Sequence, residues 1–204
     1  LLNLEKTAKQ LGIKIISMDK IRCAWCGKDP LYIEYHDTEW GVPVYDDAKL
    51  FEFLILETFQ AGLSWITVLK KRENFRKAFD NFDYKKIANY SEAKFNELIQ
   101  DAGIIRNKLK VKATISNAIA FMNVQQEFGS FSNYIWKFTN GKPIKNNWKD
   151  LSTVPATTKL SDEISKDLKK RGFKFVGSTV IYAHMQATGM INDHVTECFR
   201  YNEV

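Results

Sequence analysis

The chain has 204 residues, of which 45% are hydrophobic, enough to bury one core and too few to be split among many domains. Its net charge of +6 leans toward an anionic partner. The run Phe53-Leu54-Ile55-Leu56, the longest made only of large aliphatic or aromatic residues, falls far short of the ~20 residues that span a bilayer, so no membrane partner is expected.

Residues 1–21 scatter Lys6, Lys9, Lys14 and Lys20 among leucines and isoleucines, without the compact apolar core of a secretory signal. A cytoplasmic protein with an N-terminal extension of no assigned chemistry is expected, in which Leu4, Ala8 and Leu11 share one helical face. Cys23, Cys26 and Cys198 are an odd set, which argues for metal binding or burial over a disulfide framework.

Downstream, the spacing is helical. Asp46 or Asp47 caps a helix burying Leu50, Phe51, Leu54, Ile55 and Phe59 and ending near Ala61-Gly62. A second starts at Ser64 with Trp65, Val68 and Leu69 inward, and Lys70, Lys71, Arg72, Arg76 and Lys77 turned to solvent or phosphate. Ser91 caps a third, carrying Phe95, Leu98, Ile99 and Ala102 and stopped by Gly103. The next uses Leu109, Ala113, Ile119 and Met122 and runs to about Gln126, so residues 91–126 read as a helix-hairpin-helix. Further helices are expected over 131–138, 161–171 and 178–188, with a polar connection over 140–158.

The hairpin is a candidate phosphate site, because a glycine turn exposes backbone N–H groups beside a helix N-terminus. Arg106, Lys108, Lys110 and Lys112 add charge there. Glu57 sits among apolar neighbours, either on the exposed edge of its helix or as a pocket acid. Trp25, Tyr32, Tyr35, Trp40 and Trp65 surround it in sequence, and a carboxylate among such rings suits a flat cation. His194 and Cys198 are spaced i, i+4, which on a helix forms half of a tetrahedral zinc site. Either Cys23 with Cys26 or Cys23 with His36 completes it, and spacing alone favours the former. Four protein ligands leave no open position, so such a site would be structural.

Several strings then carry a resemblance. Asp29-Pro30-Leu31-Tyr32-Ile33, Tyr35-His36-Asp37-Thr38-Glu39-Trp40-Gly41-Val42-Pro43, Gln60-Ala61-Gly62-Leu63-Ser64-Trp65 and Ala102-Gly103-Ile104-Ile105-Arg106-Asn107 resemble the DNA-3-methyladenine glycosylase I family. So do Leu56-Glu57, Lys170-Arg171-Gly172-Phe173-Lys174-Phe175-Val176-Gly177 and Asn192-Asp193-His194 through Cys198-Phe199-Arg200-Tyr201. The resemblance covers nearly everything from Arg22 onward.

It implies an all-α helix-hairpin-helix glycosylase, residues 22–204 forming one unit of two interlocked lobes, monomeric and bacterial. Its implied zinc ligands are Cys23, His36, His194 and Cys198, with Cys26 left as a free thiol. It implies a base pocket around Glu57, Tyr35 and Trp65 with Trp25 and Tyr32 as further walls. DNA contacts are expected at Gly62, Leu63, Gly103, Ile104, Arg106 and Lys108. The expected activity is hydrolysis of 3-methyladenine from alkylated double-stranded DNA, with the free base as product, no organic cofactor and no strand cleavage. A zinc-stabilised DNA-binding module without activity is the rival, and a small-molecule zinc hydrolase a third reading.

Overall fold

The computed structural model describes residues 20–204, so the expected N-terminal extension lies outside the described residues except for Lys20 and Ile21. Helix α1, Pro30–Thr38, was not expected from apolar periodicity. Its start is nonetheless written locally: the Asp29 carboxylate accepts the Leu31 N–H at 3.0 Å, and Pro30 occupies the first helical position.

Helix α2, Asp47–Gln60, is capped by Asp46, which accepts the Lys49 N–H at 2.8 Å. Every residue from Leu50 to Phe59 is buried, the pattern of a helix enclosed on all sides. Short helices α3, Trp65–Leu69, α4, Arg72–Ala78, and α5, Tyr84–Ile87, follow. Ser91 caps α6, Glu92–Leu98, and Asn107 caps α7, Lys108–Phe128. Then come α8, Phe131–Trp136, α9, Lys159–Lys170, which opens with a Thr158/Ser161 capping box, and α10, Ser178–Ala187. The connection after α8 contains strand β1, Ile144–Lys145, paired in parallel with β2, Ile191–Asn192.

Helix α2 packs against α7, α8 and α10, and aromatic contacts fill the joint: Phe51 lies 5.0 Å from Phe121, which stacks on Phe131 at 4.2 Å. The buried face of α7 is Val111, Thr114, Ala118, Phe121 and Val124. Leu109 and Ile119, expected inward, are 69% and 47% exposed, because the true stripe is rotated relative to the one inferred.

Two cations expected at the surface are inside. Arg72 donates through Nε to Glu52 at 2.7 Å and through Nη1 to Glu39 at 2.9 Å, tying α4 to α2 and to the end of α1. It is 5% exposed and unavailable to a phosphate. Lys110 turns away from the hairpin and donates to the carbonyls of Phe59 at 2.9 Å and Ala61 at 2.7 Å. These are terminal carbonyls of α2 that lack a partner within the helix, and a cation complements that end of the helix dipole. Lys110→Met is expected to cost about 2–3 kcal/mol and to lower Tm by roughly 5–10 °C in a thermal melt. An unchanged Tm would show that the two bonds contribute nothing.

Candidate active site and metal centre

A cavity of about 240 Å³ opens where α1, α2, α3 and α10 meet. Trp25 enters from the turn before α1, Tyr32 and Tyr35 from α1, Glu57 from the middle of α2, and Trp65 from the first position of α3. All five residues expected in the pocket therefore line one space. Trp25 meets Tyr32 at 5.0 Å and 57°, while Tyr35 meets Trp65 at 5.3 Å and 45°, leaving a slot between tilted rings. The sequence reading missed Gln60, Leu151, Val154, Gln186 and Asp193 in this lining.

Glu57 is 3% exposed, its Oε2 has no hydrogen-bond partner, and no cation faces it. Burial alone pushes its carboxyl up to about 8. The edge-of-helix reading of Glu57 is thereby excluded. Tyr35 is raised well above the usual phenol range by burial first and by Glu57 second, and Tyr32 is pushed up to about 12, again mainly by burial. Glu57 is thus a neutral acid among aromatic rings, one that ionises readily only when a cation or donor arrives, while the second acid of the lining, Asp193, is engaged by four donors. The Trp65 Nε1–H is likewise buried without an acceptor.

On the far side of Trp25 and Trp40, Cys23, His36, His194 and Cys198 bring four ligand atoms within 4.8 Å of one another, all buried. Cys23 Sγ is 3.5 Å from His194 Nδ1, and Cys198 Sγ is 3.4 Å from both His36 Nε2 and His194 Nδ1. A tetrahedral zinc site with ordinary Zn–S and Zn–N lengths places sulfur and nitrogen about 3.6 Å apart. The remaining ring nitrogens are also used: His36 Nδ1 meets Asp37 Oδ1 at 2.8 Å, and His194 Nε2 meets the Trp40 carbonyl at 3.2 Å. Those partners fix the tautomers that turn the other nitrogen toward a metal. The Cys198 thiol is held well below its usual range, by the Cys23 thiol first and then by the two histidines, against the effect of burial. This group could hold a metal ion.

Cys26, favoured on spacing alone, instead donates its thiol to the Cys23 carbonyl at 3.2 Å and stays outside the cluster. His194 and Cys198 do not lie on a helix. They share a turn in which the Cys198 N–H bonds the Val195 carbonyl at 2.8 Å, so four residues of separation converge without helical geometry. Gly41 makes room for the cluster: at φ +81° it sits where a Cβ would come 3.0 Å from His194 Nε2.

Residues 25–201 match the family model described as methyladenine glycosylase. The chain belongs to the methyladenine glycosylase family. DNA-3-methyladenine glycosylase 1 of Escherichia coli is 53% identical over 180 residues, covering 88% of this chain and 96% of that protein. A crystal structure of a 3-methyladenine DNA glycosylase I superposes with TM-score 0.86 at 52% identity, covering 88% of this chain and 98% of the other. The Staphylococcus aureus enzyme, solved to describe its recognition of 3-methyladenine, is 36% identical with TM-score 0.85, covering 87% of this chain and 95% of that one. This chain is accordingly a base-excision glycosylase, an enzyme acting on N-glycosyl bonds.

Around the cavity of this glycosylase, the expected DNA-contacting residues divide. Gly62, at φ +83°, and Leu63, 44% exposed, form a protruding turn between Gln60 and Trp65, both of which line the cavity. In the hairpin, Arg106 and Lys108 are exposed, whereas Ile104 is 3% exposed and anchors the loop in the core. The Gly103 N–H is already given to Asp101 Oδ1 at 2.7 Å, and its carbonyl accepts from Lys71 at 3.1 Å. A Cβ at Gly103 would come 2.9 Å from that Asp101 oxygen, so a larger residue would have to displace the carboxylate that holds the Gly103 N–H. Among the described residues, the N–H groups of Ile105 and Arg106 have no protein acceptor.

Proposed function

We propose that this glycosylase hydrolyses the N-glycosidic bond of 3-methyladenine in alkylated double-stranded DNA, acting on a base flipped into the Glu57 cavity and leaving the strand intact. The observation that carries the reading is Glu57, a carboxyl without a cation partner among aromatic walls. Methylation at N3 makes the adenine cationic, so the base leaves as a neutral species and needs little acid assistance. What the protein must supply is a site that favours the methylated, cationic base in DNA over ordinary, uncharged adenine. Glu57 in its ionised form accepts hydrogen bonds from the adenine edge, while Tyr35 and Trp65 stack on it with Trp25 and Tyr32 completing the cage. Water then attacks the oxocarbenium-like sugar carbon. No lysine lines the cavity among the described residues, which favours a hydrolytic step without strand cleavage over a Schiff-base route.

Residues 91–126 act as the helix-hairpin-helix, in which the backbone at Ile105 and Arg106, with the side chains of Arg106 and Lys108, takes one phosphate without reading sequence. Leu63 fills the gap left by the flipped base. Zinc is the metal that fits Cys23, His36, His194 and Cys198. When bound, it supplies folding energy and no chemistry, because all four positions are protein ligands. Residues 22–204 form one unit of two interlocked lobes that works as a monomer.

Incubating the purified protein with methylated duplex DNA and separating the released bases tests the reading. Free 3-methyladenine without strand nicks is the expected result. DNA binding without any base release would leave a DNA-binding module instead. In the same material, Arg106→Ala is expected to weaken DNA binding equally across sequences. It should also reduce the slope of log K against log salt by about 1, read from titrations at several salt concentrations.

A further inference from the structure

We infer that Gln186 determines base specificity: Asp193 holds its amide so that the carbonyl oxygen faces the cavity, accepts the exocyclic amino group of the methylated base and repels a 6-oxo base. The inference rests on the base-pocket reading above.

Asp193 is 2% exposed and takes four donors. Its Oδ1 accepts from Asn146 Nδ2 at 2.6 Å and Trp148 Nε1 at 2.7 Å, and its Oδ2 from the Tyr182 hydroxyl at 2.6 Å and Gln186 Nε2 at 2.9 Å. Both Asp193 oxygens are occupied as acceptors, Oδ2 by the Tyr182 hydroxyl and by Gln186 Nε2, so the Gln186 group facing it is the amide NH2. The usual ambiguity between oxygen and nitrogen in a glutamine is thereby removed by chemistry. The other atom, Oε1, has no protein donor among the described residues and is not among the occluded side-chain atoms without a partner, so it remains open to an incoming group. Gln186 lines the same cavity as Glu57. Oε1 cannot turn away, because rotating the amide would set it against Asp193.

Adenine offers an amino group with two N–H donors at the position where guanine and hypoxanthine carry an oxygen. A carbonyl fixed toward that position gains a hydrogen bond in the first case and meets another acceptor in the second. A binding site with a fixed polar group discriminates most strongly against the analogue that leaves this group unpaired.

The test compares binding of free 3-methyladenine with that of 3-methylhypoxanthine, which differ in this substituent and in the N1 proton that goes with it, by quenching of the tryptophan fluorescence; the Gln186 contribution is read from the change of their ratio between wild type and variant. Wild type is expected to prefer 3-methyladenine by at least about 10-fold. Gln186→Met, similar in shape and without the carbonyl, should bring that preference to roughly 3-fold or less at unchanged Tm. Asp193→Asn, assayed with its bound metal verified, frees the amide to rotate and should lower the preference in the same direction. A merely structural Gln186 would change both affinities together and leave their ratio alone. Wild-type discrimination retained in Gln186→Met overturns this inference and spares the pocket. Failure of wild type to bind 3-methyladenine overturns both.

Discussion

Chelation is expected to destabilise the fold of this protein rather than merely to inhibit it. Cys23 and His36 stand near one end of the described chain and His194 and Cys198 near the other, so a zinc ion there closes a loop of nearly the whole fold. The cluster is buried, its four ligand atoms lie within 4.8 Å of one another, and its histidines have their outer nitrogens occupied. Structural zinc contributes on the order of 10 kcal/mol in small metal-dependent folds. Even half of that, in a domain of this size, amounts to a Tm decrease of roughly 10–20 °C. Cys198→Ser, which removes one ligand, should reproduce much of the decrease without chelator. Metal analysis should return one zinc per chain in the wild type. A chelator-treated protein that keeps its Tm and its Trp25 and Trp40 environment would remove zinc from the account.

The parts of this molecule legible in the sequence are those specified within a few residues. Caps at Asp46 and Ser91 mark the starts of α2 and α6 to within a residue, although α6 ends at Leu98 and does not continue through Ile99 and Ala102 to Gly103. Helix α1 was overlooked because its Tyr-rich stretch lacks an apolar stripe, although the Asp29-Pro30 pair is a start signal in its own right. What could not be read is tertiary. Arg72 looks like any surface arginine until Glu39 and Glu52, 33 and 20 residues away, close on it. Lys110 belongs to the hairpin in sequence and to the end of α2 in space. The five aromatic and acidic pocket residues and the four residues that could hold a metal came from family resemblance together with residue chemistry. Gln186 had neither to mark it, and Asp193 stood in a string quoted for the resemblance without a role, since their significance lies in a hydrogen bond between an ordinary glutamine and an ordinary aspartate.

Glu57→Gln should stabilise the protein while disabling it, and the stabilisation should depend on pH. The unfolded carboxyl ionises near 4.5, whereas burial pushes the folded one up to about 8. Below about 4.5 both states are protonated and Glu57 costs nothing. Between 4.5 and 8 the unfolded state sheds its proton and the folded state keeps it, so stability falls as pH rises, by about 1.4 kcal/mol per unit. Above 8 the folded carboxyl ionises as well and the loss levels off, at a cost on the order of 5 kcal/mol. Glutamine has no such titration, so the variant's advantage should be near zero at pH 4.5 and several kcal/mol at pH 9. His184 is fully buried with both ring nitrogens unpartnered, and desolvation lowers it to about 3. Its effect has the opposite sign, with stability lost as pH falls from 6.5, and it is common to wild type and variant, so it cancels in the difference. A denaturant series at several pH values measures that difference directly, and a flat one would mean that Glu57 is not held neutral. Activity should move the other way: without the ionisable carboxylate the pocket loses its attraction for a cationic base, and excision of 3-methyladenine should fall by at least about 10-fold. A variant both more stable and fully active would mean that the buried charge serves no purpose in the reaction, and the base would have to be recognised elsewhere.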